Sequence, residues 1–244
     1  MTRGKAPPPL PDRGGAPGAP AGNGAFEGLR GRLAAAVMAR ANRDMEAAAL
    51  DLLAPQDGER ILVLGYGPGV GINLLLERCR PAGVVAVDPS TAMAAVARRR
   101  LRRQAGGAAV SLVVGDVTAL GPDVAGFDGA VAVNCHQLWG PLGPATAAVA
   151  ARIGPAGRLV SLTHDWAIAR VAPVEEWRDQ ASVALRGGGL GALSWGGGQY
   201  RSGPGTWVVA RRPAPCPPGE GTPWATAVGE RGPTATGGGL RHEE

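Results

Sequence analysis

Four glycines at alternate positions, Gly65, Gly67, Gly69 and Gly71, follow a short apolar run in the segment ILVLGYGPGVGINL. Alternate glycines let a backbone turn sharply and approach a ligand closely, and a following helix offers free N–H groups to an anionic group. The next apolar run, GVVAVD, ends at Asp88, whose carboxylate can accept hydrogen bonds from the two hydroxyls of a ribose. The glycine-rich turn and the acid together predict a site for a nucleoside-type cofactor.

The class of cofactor is restricted by what the sequence lacks. In the dinucleotide fingerprint G-x-G-x-x-G, counted from Gly65, the third glycine would stand at position 70, which is Val70. Lys5 is the only lysine in the chain. A P-loop, a pyridoxal Schiff base and the Tyr-x-x-x-Lys pair of short-chain dehydrogenases all need a lysine in the core, so they are excluded. A nicotinamide-dependent oxidoreductase remains an alternative.

The elements that position these residues are predicted from alternating apolar runs and helical patterns, which indicate a parallel sheet covered on both faces. The predicted strands are 61–64, 83–88, 109–114, 127–133 and 158–163. The predicted helices are 72–80, 91–104, 145–153 and 175–186. Two further strands, 191–195 and 206–211, flank SWGGGQYRSGPG, which we interpret as the bend of an antiparallel hairpin at the sheet edge.

Composition sets the domain limits. The chain has 40 glycines and 22 prolines, and its end segments are rich in both and lack any apolar period, so we predict disordered tails over residues 1–25 and 213–244. One domain is then expected over 26–212, and it begins with one or two helices in 26–55. Three cysteines and three histidines are too few and too scattered to predict a disulfide framework or a metal site. No apolar run of about 18 residues exists, so we expect no membrane insertion and a cytoplasmic location.

Several motifs together resemble those of the class I S-adenosylmethionine-dependent methyltransferases. VLGYGPGVG is similar to the family's first motif, VAVDPSTAM to its second, VVGDV to its third and FDGAVAVNCHQLW to its fourth-strand motif, while RIGPAGRLVSLTH resembles the entry to strand five. The resemblance extends over about 29–213. It implies an α/β fold with a doubly wound, Rossmann-like sheet of seven strands in the order 3-2-1-4-5-7-6. That sheet is mostly parallel, ends in an antiparallel hairpin, and carries helices on both faces.

The resemblance also implies that S-adenosylmethionine is the cofactor. The residues that it assigns to cofactor binding are Gly65, Tyr66, Gly67, Gly69, Asp88, Met93, Asp116, Val117 and Asn134. In this assignment the glycines contact the methionine part, Asp88 the ribose, Met93 the adenine ring, and Asp116 with the Val117 amide the adenine edge. The family usually has an acid two residues before the first glycine, where this chain has Val63. A binding protein of the same fold without turnover is therefore a second alternative.

The acceptor of the methyl group is expected at the carboxyl ends of strands four and five, where ligands bind in open α/β sheets. The candidates for this acceptor pocket are Gln137, Trp139, Asp165 and Trp166. His136 or His164 is a candidate general base, since imidazole titrates near neutrality, although each can instead have a structural role.

The acceptor is predicted to be a small molecule. Asn134 precedes Cys135, so the Pro-Cys nucleophile of cytosine-C5 methyltransferases is missing, and the Asn/Asp-Pro-Pro-aromatic motif of exocyclic-amine enzymes is missing too. Cys135 is predicted to be a small loop or core residue. The net charge of +5 includes the arginines of 98–103, which we interpret as a solvated helix end, so nucleic acid is not favoured as a partner. The oligomeric state is left open.

Overall fold

The computed structural model describes residues 42–104, 109–135 and 144–214. The first part of the predicted N-terminal helices, up to residue 41, lies outside the described residues. So do the predicted tail over 1–25 and positions 215–244 of the predicted C-terminal tail. Within the described ranges, no helix is long and apolar enough to cross a membrane.

Seven strands form one sheet in the order β3-β2-β1-β4-β5-β7-β6, which confirms the predicted order. Neighbouring strands from β3 to β5 pair in parallel, whereas β7 is antiparallel to both β5 and β6. The strands are β1 (Arg60–Leu64), β2 (Gly83–Asp88), β3 (Val110–Val114), β4 (Phe127–Val133), β5 (Ile153–His164), β6 (Ala192–Tyr200) and β7 (Gly203–Arg211).

Helices cover both faces of the sheet, as predicted. They are α1 (Arg43–Leu53), α2 (Val70–Arg78), α3 (Thr91–Leu101), α4 (Pro144–Arg152), α5 (Asp165–Ile168) and α6 (Val174–Gly187), with a 3-10 turn at Val117–Ala119. One buried cluster joins the sheet to α1, α2 and α3, and a second joins it to α4, α5 and α6. Alternate residues of β1 enter opposite clusters, because side chains of a strand point to its two faces in turn.

The predicted bend of the terminal hairpin was wrong. β6 and β7 continue through most of SWGGGQYRSGPG, and only Arg201 and Ser202 separate them. The glycines lie in the strand because aromatic rings cover them: a Cβ built on Gly196 would come within 2.2 Å of the Trp207 ring on the paired strand. At Gly198 the ring comes from the same strand, because a Cβ there would be 2.7 Å from the Tyr200 hydroxyl. These glycines provide room for aromatic rings rather than a turn.

Strand β5 also begins earlier than the predicted residue 158. It starts at Ile153, directly after α4, and Ile153 pairs with Phe127 before an irregularity in the β4–β5 register. The other predicted strands and helices agree with the structure to within a few residues at each end, apart from the extended hairpin strands.

A buried ion pair fixes α1 to the amino ends of the central strands. The Arg158 guanidinium donates to both carboxylate oxygens of Glu59, at 2.8 and 2.9 Å, and its Nε donates to the Leu53 carbonyl at 2.6 Å. Burial raises the pKa of Glu59, but the hydrogen bonds from Arg158 and from the Gln56 amide outweigh it and leave this pKa below its ordinary value. The pair lies at the edge of the sheet opposite the glycine-rich loop.

Candidate functional site

The glycine-rich loop joins β1 to α2 at the carboxyl edge of the sheet. Gly65, Gly67 and Gly69 have φ of 66°, 49° and 79°, the left-handed region in which other residues are strained. A Cβ on Gly65 would lie 2.2 Å from the Cys135 sulfur, so this glycine is also required for packing against the end of β4. Gly67 differs, because a Cβ there would meet no atom of the described residues within 4 Å. The loop is therefore closely packed at its start and open at its middle.

Asp88 at the end of β2 connects that strand to the loop. The residue is only 8% exposed, and its carboxylate accepts hydrogen bonds from the amides of Gly67 and Ser90, both at 2.8 Å. Burial raises the pKa of Asp88, and the two amide hydrogen bonds oppose that rise. Each oxygen keeps further lone-pair capacity for a ligand.

Two further predicted cofactor residues, Tyr66 and Met93, have side chains buried in the core. Tyr66 and Met93 belong to the core beside α2 and α3, so only the backbone of Tyr66 is available to a ligand in the loop. Burial raises the pKa of Tyr66, and its hydroxyl has no hydrogen-bond partner among the described residues. The Met93 amide donates to the hydroxyl of Ser90, which caps α3.

Asp116 and Val117 follow β3, next to the end of β2. Asp116 is exposed and caps the 3-10 turn. One of its carboxylate oxygens accepts hydrogen bonds from the amide and the hydroxyl of Thr118. Its other oxygen faces no hydrogen-bond donor among the described residues. Val117 is buried beneath the turn. The structure thus brings Asp116 and Asp88 to the same edge of the sheet, on adjacent strands.

Comparison with known proteins finds a family model that matches part of the chain. Residues 61–157 match the family model for the methyltransferase domain, and this range includes the loop, Asp88 and Asp116.

This part of the chain is similar to class I S-adenosylmethionine-dependent methyltransferase domains.

Similar proteins agree with this assignment. An uncharacterized methyltransferase, YdaC, from Bacillus subtilis is 26% identical over 107 residues, which cover 44% of this chain and 57% of that relative. The chain thus spans little more than half of the relative's length.

Two solved structures share the fold at low identity. The first, a complex of the Trm112 methyltransferase activator and a putative methyltransferase from Haloferax volcanii, has a TM-score of 0.61 at 16% identity, covering 75% of this chain and 94% of that one. The second is phosphoethanolamine N-methyltransferase 2 from Haemonchus contortus, solved with phosphomonomethylethanolamine and S-adenosylhomocysteine. It has a TM-score of 0.56 at 15% identity, covering 70% of this chain and 52% of that one.

In the methyltransferase domain, Asn134 links β4, β5 and α1. It has a φ of 52°, its side-chain oxygen accepts from the His164 amide at 3.1 Å, and its amide nitrogen lies 3.7 Å from the Met45 sulfur. The side chain of this predicted cofactor residue therefore holds neighbouring elements together. Burial raises the pKa of the adjacent Cys135 thiol to about 12, so the thiol is neutral at physiological pH, as expected of a packing residue.

The end of β5 carries the acceptor-side candidates of the methyltransferase domain. His164 is buried, and its Nε2 lies 2.9 Å from the Ser202 hydroxyl, while its Nδ1 has no partner among the described residues. Its ring stacks on Trp166 with 5.6 Å between centroids. Trp166 is 53% exposed and lies under the Arg170 guanidinium at 5.0 Å, whereas Asp165 accepts from the Thr206 hydroxyl at 2.8 Å.

The predicted residues His136, Gln137 and Trp139 lie outside the described residues. Within the described part of the chain, no group of three or more His, Cys, Asp and Glu side chains is close enough to hold a metal ion.

Sequence reasoning missed one residue of the site, Glu46 on α1. A Cβ on Gly71, in the first turn of α2, would lie 2.3 Å from a Glu46 carboxylate oxygen, so this acid touches the end of the glycine-rich segment. Glu46 shares a helix face with Ala49, Leu50 and Leu53, which are all buried. An acid at an apolar position of the helical period was the signal that could have found it.

Proposed function

We propose that this protein transfers the methyl group of S-adenosylmethionine to a small-molecule acceptor. The observation that carries the proposal is the contact between Asp88 and the Gly67 amide, which joins a carboxylate at the end of β2 to an open glycine-rich loop. In open α/β sheets this edge is where ligands bind. Similarity to the methyltransferase family gives that edge its chemistry.

The residues at this edge suit the chemical groups of the cofactor. The backbone of Gly65, Gly67 and Gly69 would approach the methionine part, and the open space at Gly67 leaves room for it. Asp88 would accept from the ribose hydroxyls. The oxygen of Asp116 that does not cap the 3-10 turn would accept from the adenine amino group, next to the Val117 amide. The H. contortus enzyme of the same fold was solved with S-adenosylhomocysteine, which supports this choice.

When bound, the cofactor supplies an electrophilic methyl group on a sulfonium. The protein's contribution is to hold the acceptor in line with that methyl group and to exclude water. Trp166 and Asp165, at the end of β5, are the described residues that we assign to the acceptor pocket. His164 and His136 stay candidate general bases; for His164 the Ser202 contact at Nε2 leaves Nδ1 as the unpaired nitrogen.

The two alternative functions, a nicotinamide-dependent oxidoreductase and a binding protein without turnover, fit the structure to different degrees. In the classic dinucleotide-binding fold the strand order is 3-2-1-4-5-6, whereas here an antiparallel β7 lies between β5 and β6, which disfavours a nicotinamide enzyme. A binding protein without turnover has one point in its favour, since Val63 is 5% exposed and packs in the core, with no polar group to offer the cofactor.

Two measurements test the proposal. Isothermal titration should detect S-adenosylmethionine and S-adenosylhomocysteine at micromolar to millimolar concentration, while NAD and NADP should give no heat. Absence of binding at millimolar ligand would overturn the cofactor assignment. Transfer of a labelled methyl group in a screen of small amines, hydroxyls and thiols should identify acceptors. Cofactor binding with no transfer to any of them would favour the non-catalytic alternative.

A further inference from the structure

The Glu46 carboxyl is an acidic group of the candidate site that has no partner among the described residues. It lies against Gly71, one turn beyond the open part of the loop, because α1 packs along α2 and places its apolar face there. Among the described residues, no side chain pairs with this carboxylate or donates a hydrogen bond to it. Gly71 has no side chain, and this is what lets the carboxylate approach the helix so closely. Any residue other than glycine at that position would displace Glu46.

The surroundings of Glu46 disfavour a lone negative charge. Burial raises the pKa of Glu46 to about 8, although the residue as a whole is only half-buried. The first turn of α2 contributes no acidic residue. Both Glu46 and Asp88 act on the Cys135 thiol, whose pKa is raised by burial and then by these two acids. Two acids therefore adjoin the glycine-rich segment, Glu46 at Gly71 and Asp88 at Gly67, and Asp88 is already held by two amides.

We propose that Glu46 binds the α-ammonium group of the cofactor's methionine part, a role that rests on the proposed function. A cationic donor is the partner that a desolvated carboxyl with no donor among the described residues lacks. The two ends of the cofactor then meet the two acids: the ribose meets Asp88, and the amino-acid end meets Glu46. In this arrangement the acid comes from α1, since Val63 on β1 cannot provide one.

The decisive experiment compares two ligands that share the nucleoside. S-adenosylhomocysteine carries the amino-acid group, and 5′-methylthioadenosine lacks it. Titration of Glu46→Gln should show S-adenosylhomocysteine binding about 10- to 100-fold more weakly than wild type, the range of a charge-assisted hydrogen bond. Binding of 5′-methylthioadenosine should be unchanged. Glu77→Gln, the same substitution at an exposed position of α2, should alter neither ligand.

Proton release provides a second readout. At pH 7 the free Glu46 carboxyl is mostly protonated, and a nearby ammonium favours the carboxylate, so binding should release up to about one proton. Titrations in buffers of different ionisation enthalpy measure this number. The Cys135 thiol stays protonated at pH 7 and contributes none. Protons from Asp88 would appear with both ligands, whereas those from Glu46 should appear with S-adenosylhomocysteine only and vanish in Glu46→Gln.

The outcomes separate the two proposals. If wild type binds neither ligand, the proposed function itself fails. If wild type binds S-adenosylhomocysteine and Glu46→Gln binds both ligands as tightly as wild type, only the role of Glu46 is overturned. It is also overturned if both ligands weaken equally, because that result indicates a general effect on the loop. Circular dichroism and thermal unfolding of Glu46→Gln verify that the variant is folded.

Discussion

Replacement of Asp88 by alanine should affect both folding and cofactor binding. The carboxylate accepts two backbone hydrogen bonds at 2.8 Å, and hydrogen bonds to charged groups contribute about 1.5–3 kcal/mol each. Their sum is about 3–6 kcal/mol, and the lower end applies because burial already disfavours the charged form of this carboxyl. We therefore expect Asp88→Ala to lower the free energy of unfolding by about 3 kcal/mol. Urea denaturation followed by circular dichroism measures this change.

Binding of S-adenosylhomocysteine to the folded variant should weaken by a further ~1–3 kcal/mol, from the lost ribose contacts. Asp128→Ala is the matched control, because Asp128 also accepts a backbone amide, that of Arg60 at 2.8 Å, but is exposed and lies at the amino end of β4. It should lower stability by about 1 kcal/mol and leave binding unchanged. Unchanged stability in Asp88→Ala would refute the assigned role of its amide contacts. Unchanged affinity of Asp88→Ala for S-adenosylhomocysteine would refute the assignment of Asp88 to the ribose.

Further substitutions test the core and the loop. Arg158→Met should lower the free energy of unfolding by about 3 kcal/mol, since it leaves the Glu59 carboxylate without its cation. The pKa of Glu59 is depressed in the folded state, so the wild-type pair stabilises the fold fully above pH 4.5. This stabilisation is lost as the pH falls through the folded pKa. Acid denaturation of the variant should therefore lack the loss of stability that comes from Glu59 protonation. Gly65→Ala should lower the thermal unfolding temperature more than Gly67→Ala, because only the Gly65 substitution creates a clash, with the Cys135 sulfur. Gly67→Ala should chiefly weaken cofactor binding, which titration measures. Brief alkylation at pH 8 with peptide mapping should leave Cys135 unmodified, and rapid labelling would contradict its neutral, packed state.

The sheet was predictable from the sequence because its strands are continuous apolar runs. β2 and β4 have the predicted bounds, and the predicted order of all seven strands is confirmed. The hairpin was mispredicted because glycine has two structural uses, and the sequence alone does not distinguish them. A turn needs a left-handed backbone, while Gly196 is needed for the space that the Trp207 ring fills on the opposite strand. That pairing depends on a register which local sequence does not contain.

The site was predictable where its residues belong to one motif. The loop and Asp88 fall within a single βαβ unit, and the structure brings them together as expected. Glu46 could not be assigned in this way, since its contact with Gly71 depends on how two helices pack. Asn134 is at the predicted edge, yet its side chain is occupied by the His164 amide, a long-range contact that the motif does not encode.

Helix α1 packs in the same buried core as the family-matched region, although the family match begins only at residue 61. Met45, Leu50 and Leu53 of this helix are buried within the core, and the same helix carries Glu46 to the loop. A shortened chain that begins at the matched region would expose one face of the sheet and also lose an acid of the site. Boundaries for isolated expression or domain exchange should therefore lie before residue 42. A chimera that contains the glycine-rich loop but lacks α1 would retain Asp88 and lose the Glu46 carboxyl beside Gly71.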